Sequence, residues 1–195
     1  MPVKPSPPDV VAAKQAITEL LHRYCRAMDR MDRELALSCW HPGGTDEHTP
    51  LFSGLGRDFV DWVWTIHEPM ILQRHVLTNI LIEVEGDDAW SESYWTVLLR
   101  IERETGIVDL WSGGRYIDHH RCIEGGWAFQ HRRSVHDWDH VLPLSMTMAN
   151  FPGPPLVLPD APDAPLFPAT RNSQDPSYRA LGNHDMRYGG RGGTA

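Results

Sequence analysis

The chain has 195 residues, 41% of them hydrophobic, and a formal net charge of −8. That suits one domain with a real core plus a tail, and the acidic balance, with no Lys/Arg cluster on any one element, excludes a nucleic-acid backbone as partner. No apolar run is long enough to span a membrane, "MPVKPSPPDV" lacks the apolar segment of a secretory leader, and the scattered, odd set Cys25, Cys39 and Cys122 reads as free thiols of a cytoplasmic protein.

Residues 1–9 are Pro-rich and read as a flexible N-terminus. A first helix is expected from about Pro8 to about Arg30, with Asp9 as N-cap and Ile17, Leu20, Leu21, Tyr24 and Met28 on one apolar face. "DRELALSCW" reads as a short second helix with Asp32 as N-cap and Leu35, Cys39 and Trp40 turned inward. "HPGGTDEHTP" is loop-like in composition. A third helix, "GRDFVDWVWTIHEPM", places Phe59, Trp62, Val63 and Ile66 on one side.

From about Gln73 the period changes. "RHVLTNILIEVEGDDAWSESYWTVLLRIER" reads as two strands joined at "EGDD", and "RETG" at 103–106 as the next hairpin turn. "IVDLWSGGRYIDHHRCI" and "GWAFQHRRSVHDWDHV" follow, joined by "EGG". Helices followed by a meander of antiparallel strands indicate an α+β domain over residues 10–142, in which the sheet curls around the helices and leaves an open mouth. Residues 143–195 are Pro-rich, with apolar Phe151, Leu156, Val157, Leu166 and Phe167; they are expected to wrap along their own domain or a neighbouring subunit, with a disordered end.

In strand alternation, Ala128, Gln130, Arg132, Ser134 and His136 share one face, and Trp127, Phe129, His131, Arg133 and Val135 the other, so only one of Arg132 and Arg133 can enter a pocket. His119 and His120 read as a solvated strand end. In "HDWDH" a metal site is disfavoured because the acidic partners fall on the opposite face from His136, which suits a pocket or its rim. Tyr94, Trp111, Tyr116, Ser134 and His136 are candidate substrate-binding residues; for the aromatic ones core packing is an equal alternative. Eight tryptophans suit a pocket for a large, flat, apolar ligand.

Three stretches carry a resemblance: "RYCRAMDRMDRELALSCW", "RHVLTNILIEVEGDDAWSESYW" and "GGRYIDHHRCIEGGWAFQHRRSVHDW". Over roughly residues 10–140 the chain resembles the SnoaL-like branch of the nuclear-transport-factor-2-like superfamily. The resemblance implies a cone-shaped α+β fold with a deep pocket. The family includes scytalone dehydratase, lindane dehydrochlorinase, bile-acid 7α-dehydratase, polyketide cyclases, lignin-dimer γ-formaldehyde lyases and non-catalytic subunits, so function rests on the site.

By the resemblance, Asp29 at the end of the first helix and His75 at the start of the first long strand form a catalytic dyad, with Tyr24 and Arg132 beside them. The chemistry suits these types: a neutral imidazole is a base near pH 7, a carboxylate on its other nitrogen fixes the tautomer, and a phenol or guanidinium supplies a donor for a departing oxygen. No metal or organic cofactor is implied. The expected function is a cofactor-independent lyase acting on a hydrophobic aromatic or polycyclic hydroxylated molecule, by dehydration or formaldehyde elimination. An isomerase or cyclase with Asp29 itself as base, and a non-catalytic binding or structural subunit, are the alternatives. Asp29 in "RAMDR" also fits a surface ion pair, and on an ideal helix Tyr24 and Asp29 lie roughly 140° apart. A homo-oligomer, trimer or dimer, is expected from the family's habit.

Overall fold

The first helix, α1 (Pro8–Arg30), opens with Pro in its first turn, where a missing N–H costs nothing. Pro7, rather than Asp9, holds the cap position; Asp9 lies inside the first turn, where its charge meets the positive helix end. The helix stops at Met31, in the left-handed conformation at φ 52°. There Met31 N–H bonds the Met28 carbonyl and Asp32 N–H the Ala27 carbonyl, the pattern of a Schellman turn. This ending puts Asp29 in the last turn, facing whatever strand packs there. The expected face is buried: Ile17, Leu20, Leu21, Tyr24 and Met28 all lie in the core. Burial of each such side chain contributes about 2 kcal/mol.

This description, of a computed structural model, covers residues 5–144 and 170–178. A short helix, α2 (Arg33–Ser38), follows with the Asp32 carboxylate accepting from Leu35 N–H, as its capping type predicts. The stretch read as a loop is a strand, β1 (Trp40–His48), which turns into β2 (Phe52–Leu55). Pro42, Gly43 and Gly44 gave it a loop-like composition, and they fall in the register break between the Trp40 and Thr45 pairings. The third helix, α3 (Gly56–His67), buries Phe59, Val60 and Val63.

Four long strands complete the sheet: β3 (Leu72–Glu85), β4 (Asp88–Arg103), β5 (Gly106–Ile123) and β6 (Gly126–Pro143). Their tight turns fall where expected, with left-handed Gly86 at φ 61° and Gly125 at φ 81°. The order is β2-β1-β6-β5-β4-β3, antiparallel except where β1 runs parallel to β6. The expected pure meander is therefore a mixed six-stranded sheet, because β1 adds to its far side. Helices packed on a curled, open sheet make this the α+β fold expected.

Extra residues on β6 bend the long strands. His119 pairs with His131 but His120 with Phe129, so Gln130 is bulged; Gly113 pairs with Trp138 but Gly114 with His136, so Asp137 is bulged. The first bulge overturns the simple alternation: Phe129 and Arg132, expected on opposite faces, both point into the core, with the guanidinium 4.3 Å from the Phe129 ring centre. A Cβ at Gly114 would lie 2.0 Å from the Val135 carbonyl oxygen, so the second bend depends on glycine there.

By its contacts the chain divides into two units, residues 1–151 and 152–195. Within the second, Asn172 accepts from Gln174 N–H and the Asp175 carboxylate from Ser177 N–H and O–H. The apolar residues on which the wrapping tail was expected, Phe151 to Phe167, lie outside the described residues. Among the described residues no helix is long and apolar enough to cross a membrane.

Candidate active site

A cavity of about 530 Å³ opens between α1, α3 and the inner face of the sheet. Its size is that of a site for a small organic molecule. Met28, Phe59, Trp62, Val63, Trp95, Val97 and Leu99 make much of the wall apolar, and His48, His75, Ser112, Tyr116, Ser134 and His136 set polar groups into it.

Of the expected residues, Tyr24, His75, Tyr116, Ser134 and His136 line this cavity. Tyr94 and Trp111 do not. They are 43% and 41% exposed on the outer face, and strand alternation turns their neighbours Trp95 and Ser112 inward instead. Arg132 does not line it either: it lies fully buried and lends the cavity no donor. Arg133 points the other way and pairs with Glu47 at 2.9 Å.

Asp29 and His75 meet. The His75 ring Nδ1 lies 2.7 Å from Asp29 Oδ1, with both side chains nearly buried. The His75 backbone N–H also donates to the same carboxylate, 3.0 Å from Oδ1 and 3.1 Å from Oδ2. The Gln73 side-chain amide donates to the Met28 carbonyl at the end of α1. Gln73 and His75 are alternate residues of β3, so two side-by-side residues of one face fasten the strand's opening to the helix terminus, and they hold the ring still. A carboxylate oxygen accepts at Nδ1, so the proton of the neutral ring sits there and Nε2 keeps the free lone pair. The angular separation of Tyr24 and Asp29 on α1 is thus no obstacle. The Tyr24 ring faces the cavity directly, and Asp29 reaches it through His75.

Beneath the wall lies a charged core. Arg132 donates through Nε and Nη2 to the two oxygens of Asp118, both at 2.8 Å, with neither side chain exposed. The guanidinium sits 3.9 Å from the Tyr116 ring centre and 4.7 Å from that of Tyr24. Burial pushes both phenols well above their usual range, and Arg132 only partly opposes it, so both hold their protons at neutral pH. Burial pulls Arg132 down, but the Asp118 charge and its hydrogen bonds more than offset that. The Tyr24 hydroxyl, expected as a donor to the substrate, is buried out of the cavity's reach, with no partner among the described residues.

His120, expected at a solvated strand end, is fully buried, with Nε2 2.8 Å from Ser91 Oγ. Burial lowers its pKa to about 4, so the ring is neutral. His119 is the partly exposed member and pairs with Asp88 at 2.7 Å. Asp139, assigned to the face opposite His136, lines the cavity with it; His136 Nε2 lies 3.8 Å from Asp139 Oδ2 because the Asp137 bulge resets the alternation.

Sequence reasoning missed a further imidazole–carboxylate pair at the cavity wall. Asp46 and His48 alternate on β1, and His48 Nδ1 lies 2.5 Å from Asp46 Oδ1. The signal was the Asp-x-His spacing, which has meaning only once that stretch is read as a strand. Asp118 was missed because nothing in a single sequence sets its register against Arg132.

The model of the SnoaL-like domain matches residues 9–133, and the chain belongs to that family. Among solved structures, a hexachlorocyclohexane dehydrochlorinase of type 2 superposes with a TM-score of 0.64 at 18% identity, over 76% of this chain and 98% of that one. A scytalone dehydratase candidate from Novosphingobium aromaticivorans gives 0.59 at 20% identity, over 71% and 97%. A protein of unknown function from Mycobacterium tuberculosis gives 0.58 at 23%, over 90% and 88%. At these identities the likeness is one of fold. No functionally curated sequence matches the chain.

Proposed function

We propose that this member of the SnoaL-like family is a cofactor-independent lyase in which His75, held by Asp29, is the base acting on a hydrophobic, hydroxylated aromatic or polycyclic molecule. The observation that carries the reading is the Asp29–His75 hydrogen bond of 2.7 Å at the wall of a largely apolar cavity. Asp29 is the anchor rather than the base, because both its oxygens are engaged by the ring and backbone N–H of His75. This disfavours the isomerase alternative with a free Asp29.

His75 Nε2 takes a proton from a carbon next to the one bearing the departing hydroxyl, and water is lost. The same base taking the proton of a hydroxymethyl oxygen lets that oxygen form the C=O of formaldehyde; the adjoining C–C bond breaks, and its electron pair passes into a conjugated carbonyl or quinone methide of the substrate, which is then protonated. In both, the Asp29 carboxylate offsets the charge of the imidazolium that forms. Tyr24, protonated, gives its ring to the wall beside them, while its hydroxyl lies buried beneath that wall. The apolar walls bind rings and exclude water, which strengthens these contacts.

The test is turnover by the purified chain of a panel of hydroxysteroids and of lignin-type aryl dimers bearing a hydroxymethyl group. Mass spectrometry distinguishes loss of water from loss of formaldehyde. His75→Ala is expected to abolish whichever reaction is found while the far-UV spectrum is kept, and retained turnover would sink the proposal.

A further inference from the structure

An elimination moves two protons: one leaves the substrate, and one joins the departing oxygen. His75 accounts for the first. The cavity wall holds another imidazole built in the same way, and nothing in the base's action uses it.

His48 lines the cavity from β1, while His75 lines it from β3. In the sheet order β6, β5 and β4 stand between those strands, so the two rings approach the cavity from separate walls. His48 Nδ1 is held by Asp46 Oδ1 at 2.5 Å, and Asp46 is 1% exposed. The ring plane is set by stacking on Phe59, with centres 4.4 Å apart and an angle of 13°, and by Tyr116, edge-on at 6.2 Å. With Nδ1 committed to the carboxylate, Nε2 is the nitrogen left for a ligand, as in His75. A histidine kept only for packing against Phe59 would not need a buried carboxylate behind it, whose own desolvation is costly.

We propose that His48, oriented by Asp46, is the general acid that protonates the departing oxygen; this rests on the reading of His75 as the base. In the dehydration, His75 Nε2 takes the proton and the electron pair of the broken bond becomes the new double bond. The C–O bond breaks, and the oxygen leaves as water with the proton from His48 Nε2. His75 ends protonated and His48 neutral, and exchange with solvent restores both. The Asp46 carboxylate offsets the positive charge that His48 carries before it gives up its proton.

Two measurements test this. In the first, guaiacol is titrated into the full chain labelled with 15N at histidine. The His48 Nε2 resonance, assigned by its loss in His48→Gln, is expected to shift; a resonance unmoved at saturating guaiacol overturns the proposal, whether or not any substrate is turned over. The second compares the compound the wild-type chain dehydrates with its analogue carrying chloride in place of the departing hydroxyl, since chloride leaves without a proton. His48→Gln is expected to lower kcat by about 100-fold or more on the hydroxyl compound and by less than about 10-fold on the chloro compound, in keeping with general-acid contributions. Equal losses on both would mean a structural role, and no loss on either would mean none. His75→Ala separates the two ideas: it is expected to lose both reactions, and if it keeps them the base assignment fails while the guaiacol titration still decides on His48.

Discussion

Asp118→Asn is the substitution whose effect follows most directly from the geometry. The wild-type carboxylate accepts two parallel bonds of 2.8 Å from Arg132, in a place with no solvent. Asparagine keeps the shape, but it removes the charge and turns an N–H₂ toward a group that can only donate. The guanidinium is then a buried cation that has lost the carboxylate it is bonded to. Its contacts with Tyr24, Tyr116 and Phe129, at 4.7, 3.9 and 4.3 Å, remain. Such contacts contribute about 2 kcal/mol when desolvated, which lessens the loss without cancelling it. Breaking one partner of a buried pair costs about 3–5 kcal/mol, a large part of the total stability of an ordinary domain. For a chain of this length that is a fall of about 10 °C in Tm. Urea unfolding followed by circular dichroism measures it. The double variant Asp118→Leu/Arg132→Met removes both charges and is expected to recover more than half of the loss. A single variant within about 1 kcal/mol of wild type, or a double variant no better than the single, would refute the reasoning.

Two further outcomes are expected. Tyr24→Phe removes a buried hydroxyl that has no partner among the described residues, so stability should stay within about 1 kcal/mol of wild type, and because that oxygen is closed off from the cavity kcat/KM should stay within about threefold; a fall of about 10-fold or more would make Tyr24 a donor to the substrate. His120 has its folded pKa depressed to about 4 by burial, below the unfolded value of about 6.5. The unfolded chain therefore binds the proton first, and the stability from the neutral ring is present above about pH 6.5 and lost as pH falls toward 4, by about 3 kcal/mol. Unfolding free energies from pH 7 to pH 4 should show a shallower decline in His120→Gln than in wild type, and parallel declines would contradict this.

The helices and long strands were legible because their periods are strong and their ends carry the right chemistry. The apolar spacing from Ile17 to Met28 and the Asp32 cap correspond to what is seen. The first short strand was not legible. Its Pro-Gly-Gly run has the composition of a turn, and only pairing with β6 makes Trp40–His48 a strand. That single misreading hid Asp46 and His48. Alternation on the last strand was legible only in part, because the bulges at Gln130 and Asp137 each shift the faces by one residue and no local signal marks them. The contact between Asp29 and His75 came from resemblance rather than from spacing. Its physical cause, a helix end fastened to a strand start through Gln73 and the His75 backbone N–H, depends on tertiary packing.

The central claim is that Asp29 makes His75 a base, and the kinetics of Asp29→Asn on whichever compound of the panel the wild-type chain turns over test it most directly. The Asn oxygen can still accept from the His75 backbone N–H, but its amide now donates to the ring. Nδ1 then lies unprotonated and the proton moves to Nε2, the tautomer that cannot accept a proton from a substrate. The account predicts kcat lower by orders of magnitude, on the scale of about 10⁴ for the same change in a Ser–His–Asp triad, with KM and unfolding free energy nearly unchanged. A variant that keeps kcat within about tenfold of wild type would contradict it.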